Sequence, residues 1–150
     1  MIKVLQNRDM GIAKKIFSVF QASYKVEADL LNAKDFPPLK RPLEGYTDCT
    51  TTFFGYYQQD QLSGVVEIND LEHYTHINSL VVHPSYFRKG IARKLLEFVL
   101  KEYDSDLFVV ETGLGNGPAT NLYESFNFKE VCQWDTNHGV RKIKFELKKG

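Results

Sequence analysis

Two glycine-bearing segments carry the residue types that can hold a phosphate. The first reads Val82-His83-Pro84-Ser85-Tyr86-Phe87-Arg88-Lys89-Gly90-Ile91-Ala92-Arg93 and leads from a β-branched stretch into a helical pattern. The first turn of a helix has backbone N–H groups without intrahelical partners and the positive end of the helix dipole. Gly90 puts no side chain in the path of a ligand approaching that backbone. Ala92 keeps the next turn small, and Arg88, Lys89 and Arg93 add positive charge. Together these suit a pyrophosphate. A solvated basic helix start is the other reading, although basic residues in a first turn oppose the dipole and need a further reason to be there.

The second segment is Gly113-Leu114-Gly115-Asn116-Gly117-Pro118, after a strand and before a helix. It nearly matches the dinucleotide fingerprint G-x-G-x-x-G, and Asp135 follows at about the 20 residues that motif wants. However, Pro118 takes the last glycine position, the helix that follows is short, and only one strand comes after Asp135. A two-half nucleotide fold needs more chain than that. No G-x-x-x-x-G-K-[ST] is present, so a P-loop ATPase has no support. His73 and His76 lie on one expected strand, where their spacing places them on opposite faces. With no third ligand nearby, no metal site is expected. Cys49 and Cys132 belong to no paired motif and read as structural thiols.

Periodicity along the chain places these segments between strands and helices. A strand is expected over 2–5, then a helix capped by Asn7 or Asp9 that buries Ile12, Ile16, Val19 and Phe20 and ends near Tyr24. A second short helix is expected over 26–31. Pro37, Pro38 and Pro42 then exclude regular helix and mark a loop long enough to carry function. Strands follow over 50–57, 62–71 and 73–82, the first two as a hairpin. A helix capped by Ser85 buries Ile91, Leu95 and Val99. A strand over 107–111, a short helix over 119–126 and strands over 128–134 and 140–147 complete the chain. The order implies an α/β layered domain with a mixed sheet.

The chain has 150 residues, which suits one domain over 1–150, with 43% apolar and 25% charged residues. Nineteen basic and nineteen acidic residues cancel. That balance argues against a general nucleic-acid partner, where a basic excess is expected. Two isolated cysteines suit a reduced compartment. No apolar run suggests a signal peptide or a membrane span. A cytoplasmic location is the expectation, with neither membrane nor nucleic acid as partner. Edge strands and a C-terminal hairpin leave room for a homodimer.

Taken together, the two segments resemble the GNAT superfamily of acetyl-CoA-dependent N-acetyltransferases. The first is similar to the family signature [QR]-x-x-G-x-[GA], here Phe87-Arg88-Lys89-Gly90-Ile91-Ala92, after the strand end Leu80-Val81-Val82-His83-Pro84. The second is similar to the later motif N-x-x-A-x-x-L-Y-E-x-x-G-F, here Asn116 to Phe128. Phe87 stands where Gln or Arg is usual, and Asn127 stands where Gly is usual.

The resemblance implies a mixed, mostly antiparallel sheet flanked by helices and splayed at a cofactor cleft. Acetyl-CoA would be the co-substrate, and no metal is implied. The backbone of Leu80, Val81 and Val82 would bond the pantetheine arm, and the Val82 N–H would polarise the thioester carbonyl. The turn formed by Arg88, Lys89, Gly90, Ile91, Ala92 and Arg93 would hold the pyrophosphate, and Asn116 and Ala119 would touch the cofactor from the second motif. Tyr123 occupies the family's general-acid position, where a phenol can protonate the leaving thiolate. For the base that deprotonates the amine, Glu67 comes first and His76 second, since histidine changes charge near neutral pH. Glu27, on the early helix, is a further carboxylate for the acceptor pocket. The acceptor would be a small-molecule or peptide primary amine. A non-catalytic CoA-binding sensor on the same fold, or a nucleotide-binding protein of another class, are the alternatives.

Overall fold

The computed structural model describes residues 1–149. Seven strands form one sheet in the order β1-β2-β3-β4-β5-β7-β6. They are β1 (Ile2–Leu5), β2 (Thr52–Gln58), β3 (Gln61–Asp70), β4 (Thr75–Val82), β5 (Leu107–Gly113), β6 (Lys129–Asp135) and β7 (Arg141–Lys148). Every neighbouring pair is antiparallel except β4 and β5, which are parallel. The helices are α1 (Met10–Leu31), α2 (Glu44–Thr47), α3 (Ile91–Glu102) and α4 (Gly117–Ser125).

The central strands bury both faces, because successive side chains point to opposite sides of a sheet. Phe53, Val65 and Val81 pack with Ile16, Val19 and Phe20 of α1. Their chain neighbours Phe54, Val66 and Val82 pack with Ile91, Leu95 and Val99 of α3. Adjacent apolar pairs, Phe53-Phe54, Val65-Val66 and Val81-Val82, follow from this in place of apolar–polar alternation.

Three local expectations are corrected. Residues 10–31 form one helix, not two. No glycine, proline or capping residue interrupts the chain between Tyr24 and Val26, and Lys25 is a good helix former. The helix stops at Asn32, whose φ of 52° is left-handed. Ser85 is not a helix cap. Pro84–Tyr86 forms a 3₁₀ turn in which the His83 ring accepts from the Ser85 N–H. Arg88 and Gly90 then take φ of 65° and 75°, so α3 begins only at Ile91. His73 lies before β4 rather than on it, so the opposite-faces argument for His73 and His76 does not apply.

The feature that shapes the site is a bulge. Glu67 pairs with Ser79 but Ile68 pairs with Ile77, which leaves Asn78 as an extra residue in β4. Such a residue bends its strand and ends regular pairing. β4 and β5 accordingly pair only from Thr75–Phe108 to Ile77–Val110. Beyond that point β4 continues to Val82 and β5 to Gly113 without joining.

Candidate active site

The gap between β4 and β5 opens into a cavity of about 920 Å³. It reaches both faces of the sheet: Tyr24 and Glu27 of α1 line it on one side, Gly90 and Tyr123 on the other. Its size falls in the range of small-molecule and cofactor sites.

One wall is the freed end of β4. The His83 N–H donates to the Ser63 carbonyl at 2.8 Å, and this sets the alternation of the β3–β4 ladder. Val81 is paired with Val65 in the bonded position, so its backbone groups are committed to β3. Leu80 and Val82 fall in the alternate positions and present N–H and C=O to the gap.

The second wall is the start of α3. The first intrahelical bond runs from the Lys94 N–H to the Gly90 carbonyl, at 3.0 Å. The N–H groups of Ile91, Ala92 and Arg93 therefore have no partner within the helix. Open space surrounds the position a Gly90 Cβ would take, but its φ of 75° is strained for any L side chain. Arg88, with a φ of 65°, carries such strain itself. The Arg93 guanidinium donates to Ser125 at 3.0 Å and lies 4.9 Å from the centre of the Phe126 ring, which braces α3 against α4.

The third wall is α4. Asn116 caps it, its side-chain Oδ1 accepting from the Ala119 N–H at 3.2 Å. The Tyr123 ring is 4% exposed and packs against Phe128 and Phe145, at 5.5 and 6.0 Å. Its hydroxyl bonds to no other described residue and borders the cavity. Burial, helped by nearby Tyr24 and Glu27, pushes the phenol well above its ordinary range, so it stays protonated at neutral pH.

The glycines of the second segment are placed by packing. A Cβ on Gly113 would come within 2.6 Å of Leu31, and one on Gly115 within 3.2 Å of the same side chain. They let the end of α1 close over the end of β5, which explains the near-match to a dinucleotide fingerprint.

Leu80, Val81, Val82, Arg88, Gly90, Ile91, Ala92, Arg93, Asn116, Ala119 and Tyr123 thus meet around one cavity. Lys89, Glu67 and His76 do not line it. His76 reaches the side chain of the bulged Asn78. Glu67 is 2% exposed and receives four donors. Arg41 makes two of these bonds, at 2.8 and 3.0 Å, Thr51 a third at 2.7 Å and Ser79 a fourth at 3.3 Å. Arg41 also donates to the Gly45 carbonyl at 2.8 Å and stacks 4.1 Å from the centre of the Tyr46 ring. Glu67 is thereby occupied in fastening the segment between α1 and β2 to the sheet. Arg41→Met leaves this carboxylate buried without a charged partner, at an expected cost of about 3 kcal/mol of stability. Denaturant unfolding measures it, and a loss below about 1 kcal/mol would mark the pair as solvent-screened.

Sequence reasoning missed Tyr24, Ser79, Arg41 and Glu111. The Tyr24 hydroxyl donates to Ser79 at 3.2 Å, which in turn donates to Glu67. Glu111 faces Lys142 at 3.6 Å on the cavity rim. The available signal was a tyrosine on the inner stripe of α1; nothing in the sequence joins Arg41 to Glu67.

Residues 12–128 match the model of the acetyltransferase (GNAT) family. The chain belongs to this family. It is 34% identical over 148 residues to the UPF0157 protein YqkA of Bacillus subtilis, which covers 98% of this chain and 43% of that protein. It is 37% identical over 73 residues to an N-alpha-acetyltransferase of Saccharolobus solfataricus, covering 46% of this chain and 44% of that protein. The chain thus spans less than half the length of either relative. Among solved structures, the ribosomal-protein-S18-alanine N-acetyltransferase of Escherichia coli superposes with a TM-score of 0.73 at 19% identity, over 99% of this chain and 92% of that one. The PaiA N-acetyltransferase of Thermoplasma acidophilum, in complex with coenzyme A, superposes with a TM-score of 0.72 at 16% identity, over 99% of each chain. The GNAT fold is therefore shared: an open mixed sheet flanked by helices. No helix among the described residues is long and apolar enough to cross a membrane.

Proposed function

We propose that this GNAT chain transfers the acetyl group of acetyl-CoA directly to a primary amine. The observation that carries the reading is the gap between β4 and β5, with free amides at its α3 end and Tyr123 on its wall. The pyrophosphate sits on the N–H groups of Ile91, Ala92 and Arg93, where the helix dipole favours negative charge. The pantetheine arm extends along β4 as a partial strand and bonds the backbone of Leu80 and Val82. Val81 has no backbone group to offer it, and the bonds expected there pass to its two neighbours. Acetyl-CoA supplies the activated thioester.

The chain's residues then do three things. The Val82 N–H donates to the thioester oxygen as negative charge develops there. The bulge at Asn78 keeps β5 from occupying the groove. Tyr123 donates its proton as the thiolate leaves. The acceptor enters from the α1 side, past Tyr24, Glu27 and the Phe36-Pro37-Pro38 turn. Small-molecule and peptide amines both suit an opening of this size, and the cytoplasm suits an acetyl-CoA-dependent reaction.

Calorimetric titration with acetyl-CoA tests the reading, with CoA, ATP and NAD as controls. One-to-one binding of acetyl-CoA together with acetylation of an amine is the expected result. Binding without turnover on any amine would indicate a CoA-binding sensor on this fold. Preference for ATP or NAD would overturn the cofactor assignment.

A further inference from the structure

Glu27 stands on α1 at the acceptor side of the cavity. One carboxylate oxygen accepts from the Asn116 side-chain amide, and that same asparagine caps the helix bearing Tyr123. The other oxygen has no hydrogen-bond partner among the described residues. The neighbouring acidic groups are differently placed: Glu67 is saturated by four donors, and Glu111 faces Lys142. Lys142, Tyr24 and Tyr123 are the other titratable groups around Glu27. Burial raises its carboxyl above the usual carboxylate range, against the opposing pull of Asn116 and Lys142. Desolvation of this kind makes a carboxylate a stronger proton acceptor. The apolar side chains of Val26 and Leu30, 41% and 53% exposed, flank this opening and suit an amine attached to an apolar body.

Resting on the acetyl-transfer reading, we propose that Glu27 is the catalytic base that takes the first proton from the acceptor's ammonium group. The free amine then attacks the thioester carbon, forming the C–N bond. Collapse of the tetrahedral adduct breaks the C–S bond, and the thiolate takes the Tyr123 proton. The second amine proton, released from the adduct nitrogen, restores Tyr123, and Glu27 returns the first to solvent. The products are the amide, CoA thiol and one proton, which balances an ammonium and acetyl-CoA.

The test compares wild type with Glu27→Gln, which keeps an oxygen for Asn116. Two probe amines are used at neutral pH: n-butylamine, which arrives as an ammonium, and methoxyamine, which arrives uncharged. Transfer is followed by thiol release, and acetyl-CoA affinity is measured separately. The expected result is a loss of about 100-fold in kcat with n-butylamine and a loss at least about ten times smaller with methoxyamine, since a neutral amine has no first proton to give. Equal losses on both amines would mark Glu27 as structural, and no loss, or a raised KM alone, would also overturn the assignment. A wild type that fails to bind acetyl-CoA brings down the transferase reading itself. A wild type that binds it yet acetylates neither probe excludes a small amine on an apolar body as the acceptor, and this assignment, argued for such an amine, falls with it.

Discussion

Gly90→Glu is expected to weaken acetyl-CoA binding by at least about 100-fold, or about 2.7 kcal/mol. Two effects add. A left-handed φ of 75° costs an L residue about 1–2 kcal/mol, and a carboxylate beside the free amides of Ile91, Ala92 and Arg93 repels a pyrophosphate while competing for the same donors. Gly90→Ala separates them. Space around the missing Cβ is open, so this variant carries the backbone strain without the charge. It should lose about 1–2 kcal/mol of folding stability and keep most of its affinity. Calorimetry on folded samples of both variants makes the comparison. Normal affinity in the glutamate variant would place the pyrophosphate elsewhere.

Tyr123→Phe is expected to lower kcat by about 100- to 1,000-fold while acetyl-CoA affinity changes by less than about twofold, the pattern of an interaction made in the transition state alone. The hydroxyl bonds to no described residue, so its removal leaves no protein group unpaired. The ring contacts with Phe128 and Phe145 persist in the variant, and stability should shift by no more than about 0.5 kcal/mol. Reduced turnover in a variant of unchanged stability and affinity identifies the phenol as the acid. Unchanged turnover removes it from that role.

These residues differ in how readable they were. Gly90 and Tyr123 sit inside short motifs, where identity and spacing along a few residues carry the information. Their elements were legible for the same reason, since a strand or an amphipathic helix follows from a repeat of two or about 3.6 residues. Errors fell where local signals were weak. The two-helix reading of α1 divided a continuous pattern at Lys25, and Ser85 resembled a cap although Arg88 and Gly90 delay the helix by conformation rather than by composition. Glu67 was read as a base because it lies on a strand beside the site. Its four donors come from β4, from Thr51 and from Arg41, none of which local pattern could bring to it.

The class of the fold, the general succession of strands and long helices, the glycine turn before α3 and the tyrosine on α4 are legible in the chain alone, because each rests on local periodicity or a contiguous motif. Tertiary structure decided the rest: the place of β7 between β5 and β6, the bulge at Asn78 that opens the gap, the Arg41–Glu67 pair across 26 residues and the Asn116–Glu27 bond across 89. The physical reason is that backbone propensity acts over a few residues. Strand register and buried polar pairing depend on which distant partners the packed core brings within bonding distance.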